Sequence, residues 1–363
     1  MQVIRKKMRI IICKQTLNYL GDMKIVKTRS WLVFFIFFLL LFVLVVYYFS
    51  DIKNEFRLLK KVNPYWLVAA VCGQFLTYIL TAEIYHLLLK AYNLPRVPRK
   101  RDLLKASIIL LFFNQTVPSA QISGNTFLIS FLARFKLSRT PAISIILEEL
   151  LVFYSAMEAI MISLLIGCMF VVRAFYSFKG VLIAGILVYL AFGLVVAFAG
   201  RKNTLSRLYD KVARSPFIRK LFKNINKDMN ENDILRNEIL LWPLIKSNIP
   251  AIVRVFFVQL AVIAADGFTL YVLFWGMGQD ISPFVVLLTL ICTKVISIVP
   301  FLPGSLILYE SSMTFFFMRA GVFAGTALVV TLVYRFLSFW LPMPFGTFLY
   351  RQWLKGSPSE EDK

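Results

Sequence analysis

Apolar side chains run along this chain in stretches too long and too continuous for the amphipathic periods of soluble helices or strands. Segments at about 31 to 50, 65 to 90, 142 to 171, 180 to 199, 249 to 275 and 323 to 350 approach or exceed the roughly 20 residues an α-helix needs to cross a bilayer core, and predict six spanning helices. The first, "WLVFFIFFLLLFVLVVYYF", is longer than a signal-peptide core and no small-x-small cleavage site follows it, so it reads as a signal anchor. Two further apolar regions, 103 to 133 and 284 to 318, are broken in the middle by "TVPSAQISGN" and "VPFLPGS". Each has room for two helices of roughly 15 residues that reach partway through the hydrocarbon and turn back. The expectation is a pair of re-entrant hairpins; the alternative is Pro-kinked spanning helices. Irregular backbone at membrane depth is tolerated only against protein or a water-filled cavity, so the breaks mark a candidate site.

Composition fixes the class. With 363 residues, 59% hydrophobic and 15% aromatic, the chain has more apolar surface than a soluble core could hide, and reads as an all-α polytopic membrane protein. The 41 Lys and Arg against 19 Asp and Glu give a formal charge of +22. In a soluble protein that would suggest nucleic acid, but here the basic residues cluster between apolar runs, where retention on the cytoplasmic side and anionic headgroups account for them. With the N-terminus inside, 31 basic residues fall in cytoplasmic segments and 7 outside. That count requires regions 103 to 133 and 284 to 318 each to begin and end on one side. The organisation expected is a basic cytoplasmic segment 1 to 30, a membrane domain 31 to 350 with a basic cytoplasmic loop at 201 to 248, and a cytoplasmic tail 351 to 363. Residues 1 to 22 read as a dispensable extension, since "MKIVKTRS" makes a natural start.

The first hairpin would enter from the cytoplasm and the second from outside. The order of hairpin, short loop and charged long helix thus recurs with opposite parity, the inverted repeat of alternating-access transporters. On the offset of 24 residues from Pro118 to Ala142 and from Pro303 to Ala327, Glu149 falls next to the position of Arg335, and the two are expected to pair.

Charges inside apolar runs are the candidate chemistry, because each isolated one costs on the order of a few kcal/mol and must face a partner or a cavity. Lys294 and Arg335 are candidate binders of a lipid phosphate. Glu149, Glu158, Asp266 and Glu310 are candidate coupling or ion-pair groups, with Glu148 directed towards the inner edge. Four scattered cysteines indicate neither a disulfide framework nor a zinc site. Glu83 and the lone His86 have metal-ligand spacing, but one pair without companions reads as an interfacial hydrogen bond. No metal, cofactor or catalytic residue is expected, and no nucleophile motif or phosphate loop is present.

The segments "NQTVPSAQISGNTFLISFLARFKLSRTPAISIILEELL" and "VPFLPGSLILYESSMTFFFMRAGVFAGTALVVTLVYRFLSFWLP" resemble the flippase-like family known as the lysylphosphatidylglycerol synthase transmembrane region, over about residues 30 to 350. The matching positions are Asn114, Pro118, Gly124, Glu149, Pro303, Gly304, Glu310 and Arg335. The resemblance implies movement of charged phospholipids between leaflets, with other members linked to hopanoid or glycolipid handling, and adds Asn114, Gly124 and Gly304 as substrate-binding candidates. Members that make aminoacylated lipid do so with a soluble C-terminal domain, whereas here 13 residues follow Tyr350, so no aminoacyl transfer is expected. The reading is a lipid flippase or lipid-transport protein of the cell (inner) membrane with both termini cytoplasmic. The alternative is a non-transporting subunit that anchors a lipid-modifying glycosyltransferase. Partners expected are membrane lipids, with a lipid-modifying enzyme and a second copy of the chain as further candidates.

Overall fold

The computed structural model describes residues 64–92, 97–116, 122–135, 137, 139–170, 176–199, 245–246, 248–298 and 308–355. The expected first span, residues 117–121 of the first break with Pro118, the whole of the second break with Pro303 and Gly304, and nearly all of the basic loop lie outside the described residues. Within them every element is helical: α1 (Pro64–Ala91), α2 (Lys100–Thr116), α3 (Ile122–Arg134), α4 (Arg139–Phe170), α5 (Tyr176–Ala199), α6 (Ile249–Gly276), α7 (Pro283–Ile296), α8 (Leu308–Arg319), α9 (Ala324–Arg335), a π-helical turn (Phe336–Trp340) and α10 (Pro342–Lys355). Prolines 64 and 283 sit at helix starts, where a missing N–H removes nothing and φ is already helical. Gly278 (φ 69°) and Gly321 (φ 91°) turn the chain just after α6 and α8, a left-handed conformation that side-chain-bearing residues adopt only with strain.

Five described segments are long and apolar enough to cross a membrane: Pro64–Ala91, Pro141–Phe170, Phe178–Phe198, Ile249–Gly276 and Ala324–Lys355. They coincide with five of the six runs read from the sequence. Between them lie two pairs of short helices, α2 with α3 and α7 with α8, each packed arm against arm. At 17, 13, 14 and 12 residues these arms are about 18–26 Å long, short of a roughly 30 Å core.

Both halves share one plan. A helix of 28 residues (α1, α6) leads into a short-helix pair, followed by a long helical stretch of 32 residues (α4 and Ala324–Lys355). The leading helices lie side by side: Trp66 near the start of α1 meets Trp275 near the end of α6, with ring centroids 5.1 Å apart, so they run antiparallel. A side chain on Gly73 would meet the Thr269 hydroxyl at 2.7 Å, which shows how closely they approach.

One apolar cluster joins the end of α1 (Leu88, Leu89), the start of α2 (Leu103), the end of α3 (Leu132), the start of α4 (Ala142) and the start of α6 (Val255). At the opposite end a second joins the start of α1 (Ala70), the end of α6 (Phe274), the start of α7 (Val286), the end of α8 (Phe317) and α9 (Ala327). Each pair of short helices therefore starts and finishes at one end of the bundle, and the two pairs do so at opposite ends. Large side chains such as Leu187, Val195, Phe257 and Phe348 stay exposed on the outer surface, as a hydrocarbon solvent requires.

Candidate functional site

Four of the charges in apolar runs are brought together as two ion pairs. Lys294 in the last turn of α7 donates to Asp266 Oδ2 on α6 at 2.7 Å. Arg335 at the end of α9 donates through Nε to Glu310 Oε1 on α8 at 2.8 Å. The helical rise from Pro283 to Lys294, from Ala324 to Arg335, from Gly276 back to Asp266 and from Arg319 back to Glu310 is about 14–17 Å in each case, half of a bilayer core. All four helix ends used in that measure belong to the same end of the bundle, so the charges form one layer near mid-depth.

Aromatic rings wall this layer. The Arg335 guanidinium lies 4.3 Å from the centroid of Tyr309 and 4.6 Å from that of Phe339, between two electron-rich faces. Tyr309 and Tyr334 stack at 6.5 Å, and Tyr309 is within electrostatic reach of Lys294, Arg335 and Asp266. The side chains of Lys294 and Glu310 keep 24% and 18% of their surface accessible, so the layer is closed but not sealed. Net charge across the two pairs is zero, which is how a low-dielectric site holds four ionised groups.

The first short-helix pair reaches the same layer from the other end. Its arms are clasped where Gly124 N–H donates to Asn114 Oδ1 at 3.0 Å and the Ser123 hydroxyl donates to the Phe113 carbonyl at 3.0 Å. Gly124 has to be glycine there, since a β-carbon would lie 2.7 Å from Asn114 Cγ and 2.8 Å from the Leu110 carbonyl. Beside the clasp, Gln115 Nε2 donates to the Ser338 carbonyl at 3.0 Å. Ser338 belongs to the π-helical turn, which begins directly after Arg335 and is closed by the Leu341 N–H on the Phe336 carbonyl at 2.8 Å. Widening to i→i+5 leaves carbonyls available; the Leu337 carbonyl accepts from the Tyr78 hydroxyl of α1 at 3.2 Å. Both short-helix pairs thus grip the last span at adjacent turns, one through the Arg335 side chain and the other through the Ser338 backbone.

The sequence candidates divide accordingly. Asp266, Lys294, Glu310 and Arg335 form the charged layer, while Asn114 and Gly124 hold the arms of the first pair together. Gly304 lies outside the described residues. Glu149 is not what holds Arg335: its neighbours within electrostatic reach include Tyr85 and Tyr154. The pairing expected from the repeat offset is corrected to Glu310–Arg335, because α8 packs directly on α9 at matching depth whereas α4 packs chiefly on α5 and α6. Symmetry-related positions need not touch. Glu158 is half-buried and its Oε1 has no partner among the described residues. Glu148 accepts from the Tyr92 hydroxyl at 3.0 Å and lines a separate, mostly apolar cavity of about 230 Å³ with Leu151, Val152, Ser155, Ile252 and Phe256. Glu83 is bridged to Lys100 at 2.6 Å, and no cluster of three or more metal-ligating side chains occurs among the described residues.

Tyr309, Tyr334, Tyr78 and Gln115 lie in or beside the candidate site and were passed over in the sequence. A signal existed: the doublets "YE" at 309–310 and "YR" at 334–335 place an aromatic beside each member of the central ion pair.

Comparison with known proteins adds a family. The lysylphosphatidylglycerol synthase TM region matches residues 30–346 of this chain. A UPF0104 membrane protein of Pyrococcus horikoshii is 21% identical over 317 residues, covering 85% of this chain and 92% of that protein. A UPF0104 membrane protein of Methanothermobacter thermautotrophicus is 34% identical over 76 residues, which are 21% of this chain and 22% of the relative's own length.

Proposed function

Because the chain belongs to the lysylphosphatidylglycerol synthase transmembrane-region family, a family of multi-pass membrane proteins, we propose that it is a lipid flippase or lipid-transport protein rather than an enzyme. Its cargo is a charged phospholipid, anionic or aminoacylated, a hopanoid or a polyprenyl-linked lipid, moved between leaflets of the cell membrane. Both termini are cytoplasmic, α2–α3 re-enters from the cytoplasm and α7–α8 from outside. The observation that carries the reading is the neutral layer of two ion pairs near mid-depth, touched by both short-helix pairs. A headgroup crossing the core needs a polar station there, and Lys294 and Arg335 can exchange carboxylate for phosphate oxygens while the rings cover the glycerol or isoprenoid stem. The opposed order of the halves supplies two arrangements of the same parts, which alternating access requires.

Topology is tested with single cysteines in a background lacking the four native ones. Replacements at Arg101 and Ala133 are expected to react with an impermeant thiol reagent only after permeabilisation, and replacements at Ser282 and Arg319 without it. All four positions are exposed. Opposite accessibility of 101 and 133, or of 282 and 319, would mean that the corresponding pair spans rather than re-enters.

Transport is tested in phosphatidylcholine vesicles carrying traces of fluorescent phosphatidylglycerol or of a fluorescent polyprenyl phosphate. The purified protein is expected to speed leaflet exchange over protein-free vesicles. The doubly neutralised Asp266→Asn/Lys294→Gln and Glu310→Gln/Arg335→Gln forms, which leave no lone charge behind, are expected to be slower by about tenfold or more, the loss of a charge-assisted contact of about 1.5–3 kcal/mol. Exchange no faster than in empty vesicles, for every lipid class tried, would favour a non-transporting subunit that anchors a lipid-modifying glycosyltransferase.

A further inference from the structure

The cavity of about 230 Å³ between α4 and α6 is separate from the charged layer: none of Asp266, Lys294, Glu310 and Arg335 lines it. Glu148, Leu151, Val152 and Ser155 recur at the i, i+3, i+4, i+7 spacing of one face of α4, and Ile252, Val253 and Phe256 of α6 close the other side. Ser155 and Val253 are exposed, so the cavity opens sideways through the wall of the bundle, where the apolar exterior meets hydrocarbon. On the α6 side the lining lies about 5–11 Å from the helix start, at the end of the bundle that holds Leu88 and Val255. That is less than half of a roughly 30 Å core, which puts the cavity within one leaflet.

The polar groups of this cavity are one-sided in their chemistry. Glu148 is 2% exposed; its carboxylate accepts one hydrogen bond, from Tyr92, and takes part in none of the ion pairs among the described residues. The Ser155 hydroxyl, the other polar side chain of the lining, donates its hydrogen to the Leu151 carbonyl at 2.8 Å, so its oxygen too is left to accept. The remaining lining residues are apolar. Water needs two to four polar partners and is poorly matched to such a space, whereas an apolar cavity of about 150 Å³ already admits benzene. A buried carboxylate without a counter-ion is costly. The complementary occupant therefore donates hydrogen bonds, carries positive charge and brings aliphatic carbon with it. A primary ammonium has three donors and no acceptor; a trimethylammonium has no donor, and an anionic headgroup has the wrong charge.

We propose that this cavity binds, from the adjoining leaflet, a lipid whose headgroup carries a primary ammonium, with Glu148 as counter-ion and Ser155 as a second acceptor. Methylenes of the bound lipid lie against Leu151, Val152, Ile252 and Phe256, and the Tyr92 hydroxyl holds the carboxylate in place. The charge preference is opposite to that of Lys294 and Arg335, which suit an anion. The site stands whether or not the protein moves lipids, since it requires binding alone.

Native mass spectrometry of the full chain in neutral detergent counts bound lipid directly. From an equal mixture of phosphatidylethanolamine and phosphatidylcholine with the same acyl chains, the ethanolamine lipid is expected to be retained about tenfold more, the size of one charge-assisted hydrogen bond. Glu148→Gln keeps the shape and an acceptor for Tyr92 but not the charge, and should bring the two lipids to near equality; Glu148→Asp should keep part of the preference. Val253→Cys, in a background lacking the four native cysteines, retains Glu148 and so does not depend on the folding of the Gln form. Its reaction with a maleimide is expected to slow several-fold in micelles containing phosphatidylethanolamine, and not in those containing phosphatidylcholine or phosphatidylglycerol. Equal retention of both lipids, a preference surviving in Glu148→Gln, or equal protection of position 253 by all three lipids would each overturn the proposal. Protection by glycerophosphoethanolamine, which has the headgroup without acyl chains, would overturn it too, by assigning the cavity to a soluble amine.

Discussion

Arg335→Ala is expected to lower the stability of the folded protein by about 3–5 kcal/mol, because it leaves the Glu310 carboxylate ionised, largely buried and without its cation. The Arg335 side chain is 8% accessible and lies between the Tyr309 and Phe339 rings, so the loss includes packing as well as charge. Removing both charges, as in Glu310→Gln/Arg335→Gln, should recover most of the loss, since a hydrogen-bonded neutral pair avoids the desolvation of two ions. The reversed pair Glu310→Arg/Arg335→Glu should recover less: a carboxylate at position 335 would meet the negative faces of both rings. Arg335→Lys keeps the charge but gives up the planar group that stacks between them. Unfolding in detergent checks the series. Strictly additive single-site losses, with no recovery in either double variant, would show that Glu310 and Arg335 are not energetically coupled.

Gly124→Ala is the second large effect. The new β-carbon would lie 2.8 Å from the Leu110 carbonyl, which belongs to a helix backbone and cannot swing away, so α2 and α3 must separate and the bond from Gly124 N–H to Asn114 is lost. Overpacking of this kind costs about 1–3 kcal/mol or more, and an orphaned backbone N–H adds about 1–3 kcal/mol. Asn114→Ala alone should cost only the second part. In the combined Asn114→Ala/Gly124→Ala form the β-carbon gains the space of the missing amide, so its loss should fall below the sum of the two. The same unfolding measurement decides, and a Gly124→Ala protein as stable as wild type would mean that the arms are not clasped at this point.

How far the sequence reached can be judged from these residues. The spanning helices were legible because some twenty apolar residues in a row have one physical use, and the run read at 249 to 275 is the helix Ile249–Gly276. The short-helix pairs were legible because proline and small polar residues interrupt such runs. Asp266, Lys294, Glu310 and Arg335 stood out because an ion in hydrocarbon needs a reason. Who pairs with whom was not legible. The partner of Arg335 depends on the packing register of α8 on α9, which a repeat offset does not encode, and the offset led to Glu149. Asn114 and Gly124 were read as headgroup-binding candidates; that they also hold each other depends on the close approach of two backbones, which the sequence does not display. The π-helical turn left no mark, since "FLSFW" has the composition of any apolar helix.

That turn has an angular consequence. A π turn accommodates one residue more than an α turn, and one residue corresponds to about 100° of rotation. Everything after Trp340 is therefore phased about 100° away from where a continuous α-helix from Ala324 would put it. Arg335, before the turn, points to α8; Gly346, after it, lies so close to α2 that a β-carbon there would come within 2.9 Å of Phe112 Cγ. The last span is thus two helices in different phase on one axis, each keyed to a different half of the molecule. Loss or gain of a single residue between them would leave both halves intact and turn one key away from its lock.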